Sequence, residues 1–116
     1  MRQDEPVYVI SIAARLVGVH QQTLRMYERI GLLQPARSGA NIRLYSQRDV
    51  DRARQIQRLT NQMGVNLAGV EVIFDLLQKM DQLRQEMERR VEQMQEELER
   101  ELQRSRGKAA RAEGRR

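Results

Sequence analysis

Residues 11–31 read SIAARLVGVHQQTLRMYERIG, and this stretch decides the fold. Ile12, Ala13 and Leu16 fall at helical spacing, and Gly18 suits the left-handed conformation that ends a helix. Ser11 is expected to cap this first short helix, its hydroxyl accepting an orphan N–H of the first turn. A second helical pattern, about His20 to Ile30, carries Leu24, Tyr27 and Ile30 on one face, and Gly31 closes it. Two short helices joined by a tight, glycine-containing turn form a helix-turn-helix unit.

The flanks extend that unit. Val7, Tyr8, Val9 and Ile10 are β-branched or aromatic and read as a short extended lead-in. After Pro35, the run Arg37-Ser38-Gly39-Ala40-Asn41 is turn chemistry, and Ile42 to Tyr45 suits a strand. Residues 36–45 therefore predict a small hairpin, or wing. Ser46 and Asp49 have the capping-box spacing for a third helix, with Val50, Ala53, Ile56, Leu59 and Met63 on one face. Gly64 ends it, and Asn66 can cap a fourth helix bearing Val70, Ile73 and Leu76 or Leu77.

From Met80 the apolar positions are Met80, Leu83, Met87, Val91, Met94, Leu98 and Leu102, at steps of 3, 4, 4, 3, 4 and 4. This is an eleven-residue repeat of about 3.67 residues per turn, which requires little left-handed supercoil. Glu, Gln and Arg fill most other positions. So narrow a stripe cannot support a lone helix of roughly 35 Å, and the natural partner is the same helix of a second copy. Gly107 onward is small and basic, and is expected to be a disordered tail. The predicted organisation is thus mainly α: a winged helix-turn-helix domain over 1–78, a dimerisation helix over 79–105 and a basic tail over 106–116.

Composition narrows the function. The 116 residues carry a net charge of +5, with 32% charged and 40% apolar residues. Residues 1–64 hold ten basic and five acidic side chains, residues 65–102 five and ten, and residues 103–116 six and one. A basic folded unit favours an anionic partner such as nucleic acid. There is no Cys and one His, so a thiolate metal site, a disulfide framework and a histidine relay are not expected. No paired-carboxylate or nucleophile constellation suggests an enzyme, and no cofactor is expected. No apolar run reaches the ~18 residues of a membrane span, and the N-terminus lacks the layout of a signal peptide. These features point to the cytoplasm.

The chain resembles the MerR family of bacterial transcription regulators. The resemblance rests on Thr23-Leu24-Arg25-Met26-Tyr27-Glu28-Arg29-Ile30-Gly31-Leu32-Leu33, then Pro35, then Arg43-Leu44-Tyr45-Ser46 and Asp49. The family's typical run has two tyrosines where this chain has Met26-Tyr27. Within the family it looks most like the HspR-type heat-shock repressors, on Pro6-Val7-Tyr8-Val9-Ile10-Ser11, Gln22-Thr23-Leu24-Arg25 and Gly64-Val65-Asn66-Leu67-Ala68-Gly69. The resemblance implies an antiparallel dimer on inverted-repeat double-stranded DNA, repressing chaperone genes with the DnaK chaperone as co-repressor. It also implies a bacterial cytoplasmic protein, associated with the nucleoid when bound. Relatives sense metals through cysteines beyond the dimer helix, and this chain has none.

The expected DNA contacts are Gln21, Gln22, Thr23 and Arg25 on the second helix. Gln pairs bidentately with adenine and Arg with guanine. Tyr27 is added because the equivalent tyrosine of related regulators touches the backbone. Its rival role is core packing. Arg37, Arg43 and Tyr45 belong to the wing, where an Arg can reach phosphate or the minor groove; Tyr45 could instead anchor the wing. The arginines of the third helix (Arg48, Arg52, Arg54, Arg58) read as a solvated face. The dimer-interface candidates are the seven stripe residues. Two alternatives stay open: an activator that distorts the promoter spacer, and a small architectural or adaptor protein.

Overall fold

The computed structural model describes residues 2–114. The chain divides into two compact units, Met1–Ile73 and Phe74–Arg116. The division falls within one long helix, a few residues before the boundary expected at 78.

The first unit holds three strands, three helices and the start of a fourth. Strand β1 (Pro6–Val9) runs directly into helix α1 (Ile10–Val17), followed by α2 (Gln21–Arg29), β2 (Ala36–Arg37), β3 (Arg43–Ser46) and α3 (Gln47–Gln57). Helix α4 (Leu67–Glu113) begins here. Gly18 ends α1 at φ 83°, as its sequence suggests, and its N–H bonds to the Ala14 carbonyl. Ser11 does not cap α1. Because β1 leads straight into the helix, the cap position falls on Val9, whose side chain offers no acceptor. His20 occupies the N-cap position of α2.

The wing forms as expected: β2 pairs with β3 antiparallel, Arg37 opposite Arg43. What the sequence did not reveal is that β1 pairs with the other edge of β3, giving the order β1-β3-β2. Tyr8 seals this junction, its hydroxyl donating to Gln47 Oε1 at 3.1 Å. The capping box opens α3 as predicted: Asp49 N–H donates to Ser46 Oγ at 3.0 Å, and Ser46 N–H to Asp49 Oδ2 at 2.9 Å. Asn66 Oδ1 accepts from Gly69 N–H at 2.8 Å, the cap expected for α4.

The core collects Ala13 and Ala14 from α1, Leu24 and Tyr27 from α2, and Leu32 and Leu33 after it. It also takes Tyr45 from β3, Val50, Ala53 and Ile56 from α3, and Val70 from α4. Met63, expected on the same face as Ile56, is exposed. Past Gln57 the helix widens into a π-helical turn, Arg58–Gln62, which changes the angular step between residues and rotates Met63 off the face.

The second unit is α4 alone among the described residues. It runs on as helix to Glu113, where the sequence suggested a loose tail from 106. Ala109 and Ala110 with flanking Lys and Arg are strong helix formers, and one interior Gly costs only about 1 kcal/mol. Arg115 and Arg116 lie outside the described residues. All seven stripe residues are open to solvent, from 47% at Leu102 to 67% at Met94. Opposite charges a turn apart decorate the other faces, including Arg84 with Asp81 and Glu88, and Arg90 with Glu86. Exposed pairs of this kind contribute little to stability, because water and salt screen them.

Candidate nucleic-acid interface

Helix α2 separates its residues by face. Leu24 and Tyr27 point inward and are 1% and 2% exposed. Gln22 is exposed, and Gln21, Thr23 and Arg25 are half-buried at the edge of that outer surface. No hydrogen bond or ion pair holds the Arg25 side chain to another among the described residues, so its guanidinium keeps its donors for a ligand. The early residues of a second helix in such a unit are the ones that reach base edges in the major groove. The four α2 candidates therefore share a surface compatible with that use.

Tyr27 and Tyr45 stand differently. Tyr27 is buried, and its hydroxyl accepts a hydrogen bond from Gln57 Nε2 on α3. Burial pushes its phenol up from the usual value, with the Gln57 contact opposing. Tyr45 is 1% exposed and its buried hydroxyl has no hydrogen-bond partner. Burial, and then the nearby Glu28 carboxylate, raise its phenol. Both rings hold the wing and α2 to the core, the rival role weighed for each, and neither offers its ring to a phosphate in this conformation.

The wing arginines are partnered. Arg37 Nη2 donates to Glu28 Oε1 at 2.9 Å, and Arg43 Nε donates to Glu28 Oε2. One carboxylate on the last turn of α2 thus ties both wing strands to the helix. Arg37 also reaches the Asn41 carbonyl at 3.4 Å across the hairpin. Asn41 takes φ 61°, a left-handed conformation that Asn tolerates better than most residues.

Glu28 was not singled out from the sequence. A lone Glu among helical charges gives no sign of its partners, which are 9 and 15 residues away. Two third-helix arginines are exposed, as expected of a solvated face, and also make contacts that the sequence does not show. Arg54 donates to the Leu16 carbonyl at 3.0 Å, satisfying a backbone acceptor at the end of α1. Arg52 Nε donates to the Leu32 carbonyl at 2.7 Å and fixes the loop after α2. No sequence signal marks either contact, because both acceptors are backbone atoms.

Among the described residues, no group of three or more His, Cys, Asp or Glu is placed to hold a metal ion. Among those residues no helix is long and apolar enough to cross a membrane.

Comparison with known proteins places this geometry. Residues 8–77 match the family model of MerR helix-turn-helix regulatory proteins. A Streptomyces coelicolor protein bearing the heat-shock name HspR is 46% identical over 84 residues, covering 72% of this chain and 56% of that protein. The transcriptional regulator GlnR of Bacillus anthracis is 36% identical over 81 residues, covering 70% and 60%. The chain therefore spans little more than half the length of these relatives. Among solved structures, HiNmlR, a MerR family regulator lacking the sensor domain and bound to promoter DNA, superposes with a TM-score of 0.52. It is 26% identical, over 82% of this chain and 77% of that one.

Proposed function

The chain belongs to the MerR family of helix-turn-helix regulatory proteins, and from that premise we propose that it is a sequence-specific repressor of heat-shock and chaperone genes. It acts in the bacterial cytoplasm as a homodimer on an inverted-repeat operator. The observation that carries this reading is the α2 surface: Gln21, Gln22, Thr23 and the unpartnered Arg25 lie beside a wing that presents Arg37 and Arg43. The similarity to HspR supports the heat-shock assignment. The promoter complex of HiNmlR supports duplex DNA as the ligand.

In the mechanism, α2 enters the major groove, with Gln and Arg reading base edges, while the wing contacts the adjacent backbone. Phosphate contacts supply most of the affinity and base contacts most of the choice. The exposed stripe from Met80 to Leu102 joins two copies, so that protein two-fold symmetry matches operator symmetry. The dimer blocks transcription, and DnaK strengthens binding until unfolded protein draws the chaperone away. Footprinting on the chain's own promoter region, with and without purified DnaK, tests this. Protection of an inverted repeat that strengthens with DnaK is expected. Absence of any protected repeat overturns the repressor reading, and protection indifferent to DnaK overturns the co-repressor.

A further inference from the structure

Arg37 and Arg43 face each other across the β2–β3 ladder. Like charges directly opposite on an antiparallel pair are destabilising, so an unaided wing of this sequence would tend to splay. Glu28 removes that conflict by giving one carboxylate oxygen to each guanidinium. Its side chain is 21% exposed, against 40% for Arg37 and 30% for Arg43, so water screens the cluster only in part. On α2, Glu28 sits three residues after Arg25, about 4.5 Å further along the axis and on nearly the same face. A negative charge therefore lies beside the surface that meets phosphates, and holds the two wing cations to the helix that reads bases.

We propose that Glu28 is a specificity-determining residue that works through the wing, fixing Arg37 and Arg43 relative to α2 and restraining their binding to duplexes of the wrong sequence. The inference rests on the DNA-binding reading above and names a positioning role within the same site. On a matching sequence α2 seats fully and delivers both arginines to the backbone already placed. On any other sequence α2 does not seat, and an arginine reaches phosphate only by leaving Glu28. The carboxylate thus lowers affinity for random DNA, while on the matched sequence the placement it gives the wing and the charge it withholds from phosphate nearly cancel.

The test uses the full chain and two probes: a random-sequence 30-base-pair duplex, and a duplex selected by the wild-type chain from a random-sequence library. E28Q keeps the shape and removes the charge. It is expected to bind the random duplex about tenfold more tightly and the selected duplex within about threefold of wild type. Discrimination then falls about tenfold. The salt slope on random DNA should steepen by about 1–2, because each added phosphate contact releases counterions worth about 0.9.

Unchanged discrimination overturns the proposal, and so does equal weakening on both probes, which would make Glu28 a purely structural contact. A second measurement needs no variant. The wild-type salt slope on the selected duplex should exceed that on random DNA by about 1.8, two wing contacts at about 0.9 each; equal slopes overturn the proposal even if E28Q fails to fold. A wild-type chain that prefers no sequence would sink the DNA-reading function itself. Equal discrimination in wild type and E28Q sinks only the role of Glu28.

Discussion

The two units of this chain carry apolar residues at similar helical spacing and treat them in opposite ways. In the first, Leu24, Val50, Ile56 and Val70 are at most 1% exposed. In the second, the seven stripe residues from Met80 to Leu102 are about half open to solvent. Periodicity alone shows which residues want burial, and not whether the same chain supplies the burial. Three helices and a three-stranded sheet close around the first set. Among the described residues nothing within the second unit closes over its stripe, and under the proposed pairing its stability depends on concentration.

The largest expected effect breaks the second unit. Leu83→Glu with Leu98→Glu places two charges on the stripe and should yield monomers, with much of the far-UV helical signal lost from α4. A dimer mass by light scattering at micromolar concentration would refute the pairing role. The next comparison deletes similar apolar groups on each side. Ile56 is 0% exposed, so Ile56→Ala should cost about 2–5 kcal/mol in denaturant unfolding at every protein concentration. Leu98→Ala should shift the midpoint in dilute protein and much less in concentrated protein. Equal, concentration-independent losses at both sites would erase the distinction between the units.

Smaller effects sharpen the account of the first unit. Arg25→Ala should weaken binding to the selected duplex by about 1–3 kcal/mol while leaving the dimer mass and thermal midpoint unchanged. A loss equal on selected and random DNA would make Arg25 a phosphate contact. Ser46→Ala removes one arm of the capping box and should cost about 1 kcal/mol, read as a lowered thermal midpoint with DNA discrimination intact.

The same contrast explains what the sequence disclosed. Local chemistry was legible: the left-handed Gly18, the Ser46–Asp49 box, the Asn66 cap and the turn between Arg37 and Asn41 each follow from a few adjacent residues. Contacts distant in sequence were not. The pairing of β1 with β3, the hold of Glu28 on both wing arginines and the capping of α1 by Arg54 join segments 9 to 40 residues apart, through charges or backbone atoms that carry no pattern. The two tyrosines show a further limit. A ring with a hydroxyl suits both core and phosphate, and only the assembled fold decided that Tyr27 and Tyr45 lie inside. The helical end of α4 departs from the expected tail because its alanines favour helix, although its basic composition suggests a solvated end.

The central claim is that one unit reads duplex DNA and the other joins two copies to do so. Sedimentation equilibrium of the full chain with its selected duplex tests both parts at once. The account predicts two chains per duplex, on a selected sequence that is an inverted repeat. One chain per duplex, or a selected sequence without two-fold symmetry, would contradict it.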